Sequence, residues 1–456
     1  MPDPIIHPAS FRDPSGFVFQ WNGKIYRQVN KIYAEDYDLL MNSGLYKHLT
    51  EKKLLIEHSE TDEIIADPTN RYKTLLPLQL HHISYPYEWC FDQLKDAALL
   101  TISILKEAVD HGMIIKDATP YNIQFYKCVP VFIDTLSFEK YDADNAWVAY
   151  RQFCNMFLFP LYLEHYLRTD IQKTLVVYPD GIPVDITSKL LPLRSRTSLG
   201  VWLHVYLQNT VSRSTDGRKD GGKFNRRKLM NLVDHLERTI ANIKSRYRLS
   251  EWNNYYGETI SSKEYLGEKE KIFREMMTAA GSGGPALDLG ANDGYFSKIL
   301  AANGYDVVAI DNDSQSIQKL YNETKATQSC NITPLVIDIA NPSPATGFNN
   351  RERPGFHERF GPNLVIALAL VHHLVIGRNV SLRVLASWFG DISEKLIIEF
   401  VPKQDEKVQL MLASRKDVFD DYTAEHFEEH FLRYFTIKRR EPIPGSQRVI
   451  YLMEKR

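Results

Sequence analysis

From residue 284 onward, short runs of apolar residues alternate with longer stretches in which apolar and polar residues are mixed. Five runs have the length and composition of buried strands: 286–289 (ALDL), 306–310 (DVVAI), 333–337 (TPLVI), 363–370 (NLVIALAL) and 395–400 (KLIIEF). Strands that alternate with helical segments at this spacing predict a doubly wound, mostly parallel sheet. Residues 435–455 contain two further strand-like segments around a Pro-Gly pair, which predict an antiparallel hairpin.

The N-terminal half has a different pattern, with short strand-like runs in its first seventy residues and a mixed helical stretch at 34–49. Residues 92–112 predict a helix because apolar residues recur every three to four positions. The apolar positions of this helix are Leu94, Ala97, Ala98, Ile102, Leu105 and Ala108. We therefore expect an α+β domain ahead of the α/β domain.

The sharpest change of composition lies at 212–223 (SRSTDGRKDGGK), which contains almost no apolar residue and predicts a mobile surface loop. An amphipathic helix follows it, with Leu229, Val233, Leu236, Ile240 and Ile243 on one face. We expect three segments: an α+β domain at 1–210, a basic loop and linker helix at 211–250, and an α/β domain at 251–456.

The loop and the helix after it carry a cluster of basic residues. These are Arg213, Arg218, Lys219, Lys223, Arg226, Arg227 and Lys228. They could contact phosphate or RNA. A solvated linker is the favoured interpretation, because no aromatic residues are interleaved with the basic ones.

Composition narrows the functional classes. The 456 residues carry 55 Lys and Arg against 57 Asp and Glu, a net charge of -2 that predicts no polyanionic partner for the chain as a whole. The N-terminal residues lack the charge and apolar run of a secretion signal, and the longest apolar run, 156–163, is too short to span a membrane. The four cysteines have no metal-binding spacing, so we expect a cytoplasmic protein without a zinc site or disulfide framework.

A glycine-containing loop follows the first of the five runs, in the sequence LDLGANDGYF at 287–296. Gly290 permits a tight turn, and Gly294 allows the backbone to approach a ligand closely. The loop, which also contains Ala291 and Asn292, has acidic Asp288 and Asp293 in or beside it. These charges would repel a pyrophosphate and attract a cationic amino-acid group, which favours S-adenosylmethionine over NAD.

Two more acids end the next two strands. Asp311, followed by Asn312, lies twenty-three residues after Asp288, where an acid can accept hydrogen bonds from ribose hydroxyls. Asp338, followed by Ile339, ends the third strand and is suitably placed for an adenine amino group. Each acid alone could cap a helix or turn. Three acids at successive strand ends, together with the glycine loop, favour a cofactor site.

Residues 284–456 thus resemble class I, Rossmann-like S-adenosylmethionine-dependent methyltransferases. The resemblance implies a seven-stranded sheet with an antiparallel last strand. It implies cofactor contacts with Asp288, Gly290, Asn292, Gly294, Asp311 and Asp338. His372 and His373 follow the fourth strand, where this family places groups that face the methyl donor. Either histidine could act as a base or could only pack or cap, and Glu399 could orient one of them.

An earlier stretch resembles the catalytic loop of protein kinases and aminoglycoside phosphotransferases. Asp117 and Asn122 have the D-x-x-x-x-N spacing, and Asp134 ends the following strand. In kinases these positions hold the acceptor hydroxyl and magnesium. However, residues 11–200 contain no glycine-rich phosphate loop, Lys24 is the nearest candidate for the phosphate-binding lysine, and D-T-L replaces D-F-G. Much of the electrostatic stabilisation of phosphoryl transfer is therefore missing, and ATP with magnesium is not the favoured ligand.

Three functions are compatible with these patterns. The leading one is methyl transfer to an oxygen or nitrogen of a small molecule or glycan, with residues 1–250 recognising the acceptor. The second is a bifunctional kinase and methyltransferase that acts on one acceptor. The third is a methyltransferase tethered to an RNA or protein partner by a non-catalytic kinase-like domain. The layout as a whole resembles bacterial nodulation-type methyltransferases.

Overall fold

The computed structural model describes residues 3–63, 66–213, 225–246, 263–327 and 331–456. The chain divides into two compact units. Unit 1 comprises Met1–Arg248 and Ala345–Pro354, and unit 2 comprises Leu249–Pro344 and Gly355–Arg456. Unit 1 therefore includes a ten-residue segment from the C-terminal half of the sequence, a feature that the hydrophobic pattern did not indicate.

Unit 1 begins with an antiparallel sheet of five strands in the order β1-β2-β3-β5-β4. The strands are β1 (Ile5–Ile6), β2 (Gly16–Trp21), β3 (Lys24–Asn30), β4 (His58–Glu60) and β5 (Arg71–Pro77). The helices Ala34–Asn42 and Leu45–Glu51 connect β3 to β4. Apolar side chains of β3, β5 and the first helix pack with Leu136 in a small core, which fixes this sheet against the segment that contains Asp134.

The rest of unit 1 is mainly helical. The predicted helix spans Phe91–Asp110, and its six predicted core positions are fully buried. Two short ribbons follow, in which β6 (Met113–Ile115) pairs with β9 (Phe138–Lys140) and β7 (Ile123–Tyr126) pairs with β8 (Val129–Phe132). The further helices are Tyr150–Phe153, Phe159–Leu167, Val184–Leu190, Leu199–Val201, Gln208–Arg213 and Arg226–Asn242.

The predicted amphipathic helix has its apolar face inside unit 1. Leu229, Val233, Leu236 and Ile240 are fully buried, and Ile243 follows the end of the helix. On its polar side, Arg226 pairs with Asp110 at 2.5 Å. The predicted surface loop and its basic residues Arg218, Lys219 and Lys223 lie outside the described residues. No helix among the described residues is both long enough and apolar enough to cross a membrane.

Unit 2 contains a seven-stranded sheet in the order β12-β11-β10-β13-β14-β16-β15. The strands are β10 (Gly284–Leu289), β11 (Tyr305–Asp311), β12 (Ile332–Val336), β13 (Leu364–Ala367), β14 (Lys395–Phe400), β15 (Phe435–Pro442) and β16 (Val449–Lys455). The first five are parallel, and β16 is antiparallel to both of its neighbours, β14 and β15. The predicted fold class, Rossmann-like with an antiparallel last strand, is confirmed.

The helix Lys263–Ala280 precedes β10, and further helices connect the strands. The connecting helices are Tyr295–Ala302, Ser314–Thr327, Phe356–Arg359, Leu382–Ile392, Glu406–Ala413 and Ala424–Phe431. The core of unit 2 packs the helix Lys263–Ala280 and the helix Tyr295–Ala302 against β10 and β11. The loop between β10 and the second of these helices therefore lies at the carboxyl edge of the sheet, where open α/β folds bind ligands.

Candidate functional site

The loop after β10 has the backbone that its glycines predict. Gly290 and Gly294 have φ angles of +77° and +74°, and Asn292 between them has +51°. The amides of Gly290 and Ala291 both donate to the carbonyl of Ile310 at 2.9 Å. A Cβ atom added to Gly294 would lie 2.5 Å from Leu320 Cδ1, so the loop requires glycine for both its backbone angle and its packing.

Asp311 holds this loop from the end of β11. Its Oδ2 accepts a hydrogen bond from the amide of Asn292 at 2.9 Å, and its Oδ1 accepts one from the amide of Asp313 at 2.9 Å. Burial raises the pKa of Asp311, while these amides favour the ionised form. Asp311 is therefore both a loop anchor and a carboxylate at the ligand edge, and the neighbouring Asn312 is exposed there.

Asp288 and Asp293 have different electrostatic environments. Asp288 is nearly buried, and the Ser297 hydroxyl donates to it at 2.5 Å. Burial raises the pKa of Asp288 to about 7, with a smaller contribution from the charge of Asp311. Asp293 instead pairs with Lys319 at 2.9 Å, so its charge is partly offset. A cation bound near Asp288 would favour its ionised form.

Asp338 and Ile339 lie just beyond the end of β12. Asp338 accepts hydrogen bonds from the amide of Ala340 at 2.9 Å and from Arg378 at 3.1 Å. The amide of Ile337 donates to the carbonyl of Asp311 at 2.9 Å, which ties the ends of β11 and β12 together. The structure thus places the three predicted strand-end acids along the same edge of the sheet.

His372 and His373 follow β13, and their ring centroids are 4.1 Å apart. His372 is fully buried, and no described residue forms a hydrogen bond with either of its ring nitrogens. Burial lowers the pKa of both histidines, and the positive charge of Arg448 lowers it further. The surroundings of both rings therefore disfavour protonation.

Glu399 is fully buried at the end of β14 in a cluster of charged residues. Its Oε2 lies 2.6 Å from Lys269 Nζ, and its Oε1 lies 3.5 Å from Arg448 Nη1. Arg448 also forms two hydrogen bonds with Asp405, at 2.7 and 3.0 Å. Glu399, predicted to orient a histidine, is therefore neutralised by two cations from distant parts of the sequence.

Lys269 and Arg448 were not among the site residues predicted from the sequence. Lys269 lies four residues after Tyr265 and four before Phe273, both of which are buried on the same helix. A lysine on the apolar face of an amphipathic helix could have indicated a buried ion pair.

In unit 1, Asp117, Asn122 and Asp134 line one cavity of about 470 Å³. The side-chain amide of Asn122 donates a hydrogen bond to Ser137 Oγ at 3.1 Å. The Ser137 hydroxyl in turn donates one to Asp134 Oδ2 at 2.5 Å. Gln152 donates to Asp117 at 2.7 Å. Burial raises the pKa of Asp117, and the charge of Asp134 raises it further. The three residues that the kinase-like spacing predicted therefore form one connected group.

The cation beside Asp134 is Arg27, at the middle of β3, and the two side chains form an ion pair. Although burial favours the neutral acid, Arg27 and the hydrogen bonds hold the pKa of Asp134 below its usual value. Lys24, the candidate from the sequence, is exposed at the start of the same strand. Arg27 was not predicted, because the resemblance to kinases suggested a lysine at this site. The ion pair with Asp134 depends instead on which side chain of β3 faces the cavity.

A family model and a curated relative both match this chain. The family model described as "Tellurite resistance protein TehB" matches residues 259–348. The nodulation protein NoeA of Rhizobium meliloti (strain 1021) is 32% identical over 465 aligned positions, which cover 100% of this chain and 97% of NoeA.

Solved structures also resemble the chain over part of its length. The N-methyltransferase NodS of Bradyrhizobium japonicum WM9 is 14% identical with a TM-score of 0.32, covering 43% of this chain and 99% of NodS. The magnesium protoporphyrin IX methyltransferase of Synechocystis PCC 6803 is 16% identical with a TM-score of 0.34, covering 45% of this chain and 92% of that protein. WbdD is 17% identical with a TM-score of 0.32, covering 44% of this chain and 42% of WbdD.

The prediction of a class I S-adenosylmethionine-dependent methyltransferase is confirmed. The sheet has the predicted seven strands, with β16 antiparallel between β14 and β15, and the glycine loop and the strand-end acids lie at its carboxyl edge. Because the similarity to NoeA extends over the whole chain, this methyltransferase belongs to the family of the nodulation protein NoeA.

Proposed function

We propose that this methyltransferase modifies an oxygen or nitrogen atom of a small-molecule or glycan acceptor, and that unit 1 recognises the acceptor. The main support for the cofactor site is one hydrogen bond of the Asp311 carboxylate. This carboxylate accepts a hydrogen bond from the Asn292 amide at 2.9 Å and so joins the glycine loop to the ligand edge of the sheet. S-adenosylmethionine supplies an electrophilic methyl group when it is bound.

The residues of the glycine loop and the two following strand ends fit a cationic nucleoside. We assign cofactor binding to Asp288, Gly290, Ala291, Asn292, Asp293, Gly294, Asp311, Asn312, Asp338 and Ile339. The left-handed glycines leave the loop backbone open to a ligand, and the partly protonated Asp288 gains charge when a cation is near. Such a loop disfavours a pyrophosphate, because negative charge on the ligand would oppose the ionisation of Asp288.

His372 and His373, supported by the buried cluster around Glu399, are the proposed catalytic residues. Because burial keeps both rings neutral, a ring nitrogen of the partly exposed His373 accepts a hydrogen bond from the acceptor and aligns its nucleophilic atom, while the fully buried His372 packs against that ring. Methyl transfer is an in-line displacement in which alignment supplies much of the rate, so a strong base is not required. The role of Glu399 is to hold Lys269 and Arg448 in place near this pair.

The test is the transfer of a labelled methyl group from S-adenosylmethionine to a panel of hydroxylated and aminated small molecules and glycans. We expect label in at least one acceptor, and no transfer by Gly290→Val or Asp311→Ala. His372→Gln and His373→Gln should retain cofactor binding and lose turnover. Unchanged turnover in both histidine variants would show that neither histidine acts in catalysis. Transfer of label by Asp311→Ala at the rate of the parent protein would refute the cofactor site.

A second function, phosphorylation and methylation of one acceptor, is favoured by the grouping of Asp117, Asn122 and Asp134 in one cavity. The ion pair between Arg27 and Asp134 opposes it, since a guanidinium occupies the carboxylate that would hold magnesium. Magnesium-dependent ATP turnover that disappears in Asp134→Ala would establish this second function. Absence of turnover in the parent chain would leave unit 1 with recognition alone.

A further inference from the structure

The cavity of unit 1 has a negative lining. Three arginines (Arg12, Arg27 and Arg353) face five carboxylates (Asp13, Asp117, Asp134, Asp180 and Glu352), which gives a net formal charge of −2. His7 and His58 also line the cavity. Burial lowers the pKa of His7, and it lowers the pKa of His58 to about 4. Both imidazoles are therefore neutral at pH 7. Lys116, outside the lining, lies 3.5 Å from Asp13 and offsets part of this negative charge, but the balance still disfavours a polyphosphate.

The three arginines are already engaged by groups of unit 1. Arg12 donates two hydrogen bonds to Glu352, at 2.9 and 3.0 Å. Arg27 pairs with Asp134, and the guanidinium of Arg353 lies 3.8 Å from the centre of the Tyr121 ring. Both oxygens of Asp134 are also occupied, since the amide of Leu136 and the hydroxyl of Ser137 donate to them. Binding of magnesium and phosphate would have to displace several of these contacts.

Two polar groups point to a different ligand. Tyr121 lines the cavity, and its hydroxyl is buried without a hydrogen-bond partner among the described residues. A buried hydroxyl without a partner is unfavourable, so a ligand that bonds to it gains affinity. Asp117, in the same cavity, receives a hydrogen bond from Gln152 at 2.7 Å and retains further acceptor capacity. A tyrosine and a carboxylate in the lining of one cavity suit a ligand that carries several hydroxyl groups.

We propose that this cavity binds a neutral, hydroxyl-rich ring, such as a sugar unit of the acceptor, through Asp117 and Tyr121. A ligand hydroxyl donates to Asp117, and a second one bonds with the Tyr121 hydroxyl. The ring of Tyr121 is held by Arg353, so the segment Ala345–Pro354 completes the wall of the site. This assignment rests on the proposed recognition of the acceptor by unit 1.

Tyr121→Phe is the sharpest test, because it removes only the unpartnered hydroxyl and keeps the ring under Arg353. We expect the variant to unfold at the same or a higher temperature than the parent, while its affinity for the ligand falls about tenfold. The matched control is Tyr305→Phe in unit 2, whose hydroxyl donates to the carbonyl of Gly281 at 2.5 Å. It should lose thermal stability and keep ligand affinity.

Binding is measured on the full chain without S-adenosylmethionine, by saturation-transfer NMR with cellotetraose, maltotetraose and chitotetraose, and separately with magnesium ATP. We expect signal from at least one tetrasaccharide, its loss in Asp117→Asn and its retention in Asp144→Asn, which alters an exposed acid that does not line the cavity. Magnesium ATP should give no signal. The inference is overturned if no tetrasaccharide binds, if Tyr121→Phe and Asp117→Asn bind like the parent, or if magnesium ATP binds.

The binding and transfer measurements separate the two proposals. Methyl transfer to a hydroxylated acceptor without tetrasaccharide binding would leave the proposed function intact and refute the cavity assignment. Tetrasaccharide binding that depends on Tyr121, without methyl transfer to any member of the acceptor panel, would support the cavity and refute the proposed function.

Discussion

Lys269 Nζ lies 2.6 Å from Glu399 Oε2, and both side chains are almost completely buried, at 1% and 0% exposure. Burial also lowers the pKa of Lys269. Removal of Lys269 leaves the buried Glu399 with Arg448, which is 3.5 Å away and also bonded to Asp405, as its remaining cation. This is much more costly than loss of an exposed ion pair.

We therefore predict that Lys269→Met lowers the free energy of unfolding by about 3–5 kcal/mol. Lys298 and Glu323 form the matched control: their atoms are also 2.6 Å apart, but the side chains are 41% and 45% exposed. Lys298→Met should cost less than about 1 kcal/mol. Urea unfolding of both variants provides the measurement, and equal losses would show that burial does not govern the Lys269 pair.

The conformation of the cofactor loop depends on Gly294. Alanine there has to adopt a left-handed backbone and place its Cβ against Leu320, whereas alanine at Gly304, with φ of +84°, meets no atom within 4 Å. We expect Gly304→Ala to cost about 1–2 kcal/mol from the backbone alone. Gly294→Ala should cost about 1–3 kcal/mol more and weaken binding of S-adenosylmethionine. Thermal unfolding and calorimetry check this, and equal stability of the two variants would contradict it.

Binding of the cofactor should depend on pH through Asp288. Its pKa of about 7 means that the free protein is partly protonated there at neutral pH, and a bound cation favours the ionised form. Binding then releases a proton, so affinity rises with pH through 7 and falls by up to about tenfold per pH unit below it. Asp288→Asn should bind more weakly and with little pH dependence. Calorimetry in two buffers of different ionisation enthalpy measures the released proton, and a pH-independent parent would refute this role.

His372 should make the fold less stable in acid. Its pKa in the folded state is well below 6.5, so below pH 6.5 the unfolded chain binds a proton that the folded chain does not. Stability from this group is therefore complete above pH 6.5 and declines as the pH falls, by up to about 1.4 kcal/mol per pH unit. His372→Leu should show a correspondingly smaller loss between pH 6.5 and 5. Parallel pH profiles for parent and variant would contradict the burial argument.

The sheet of unit 2 was predictable because each of its parallel strands is a continuous apolar run. Each of the five runs from ALDL to KLIIEF contains a strand or overlaps one closely, and the terminal hairpin forms β15 and β16. The loop at Gly290 and Gly294 was predictable for a related reason. The backbone freedom of glycine and the end of the preceding strand are both properties of neighbouring residues in the sequence.

The features that escaped prediction depend on contacts between distant residues. Lys269 and Glu399 are 130 positions apart, and Arg12 and Glu352 are 340 apart. Neither pair leaves a periodic signal in the sequence. The assignment of Lys24 instead of Arg27 has a similar cause, because the direction of a side chain toward a cavity depends on strand register. Burial, which lowers the pKa of the two histidines, likewise becomes visible only when the packing is known.

The most direct test of a methyltransferase with its cofactor at the glycine loop is calorimetric titration of the full chain with S-adenosylmethionine and with NAD, repeated for Asp311→Ala. We predict that the parent binds S-adenosylmethionine and not NAD, and that the variant loses at least about tenfold in affinity through the lost support of the Asn292 amide. Binding of NAD in place of S-adenosylmethionine, or equal affinity in parent and variant, would contradict the assignment.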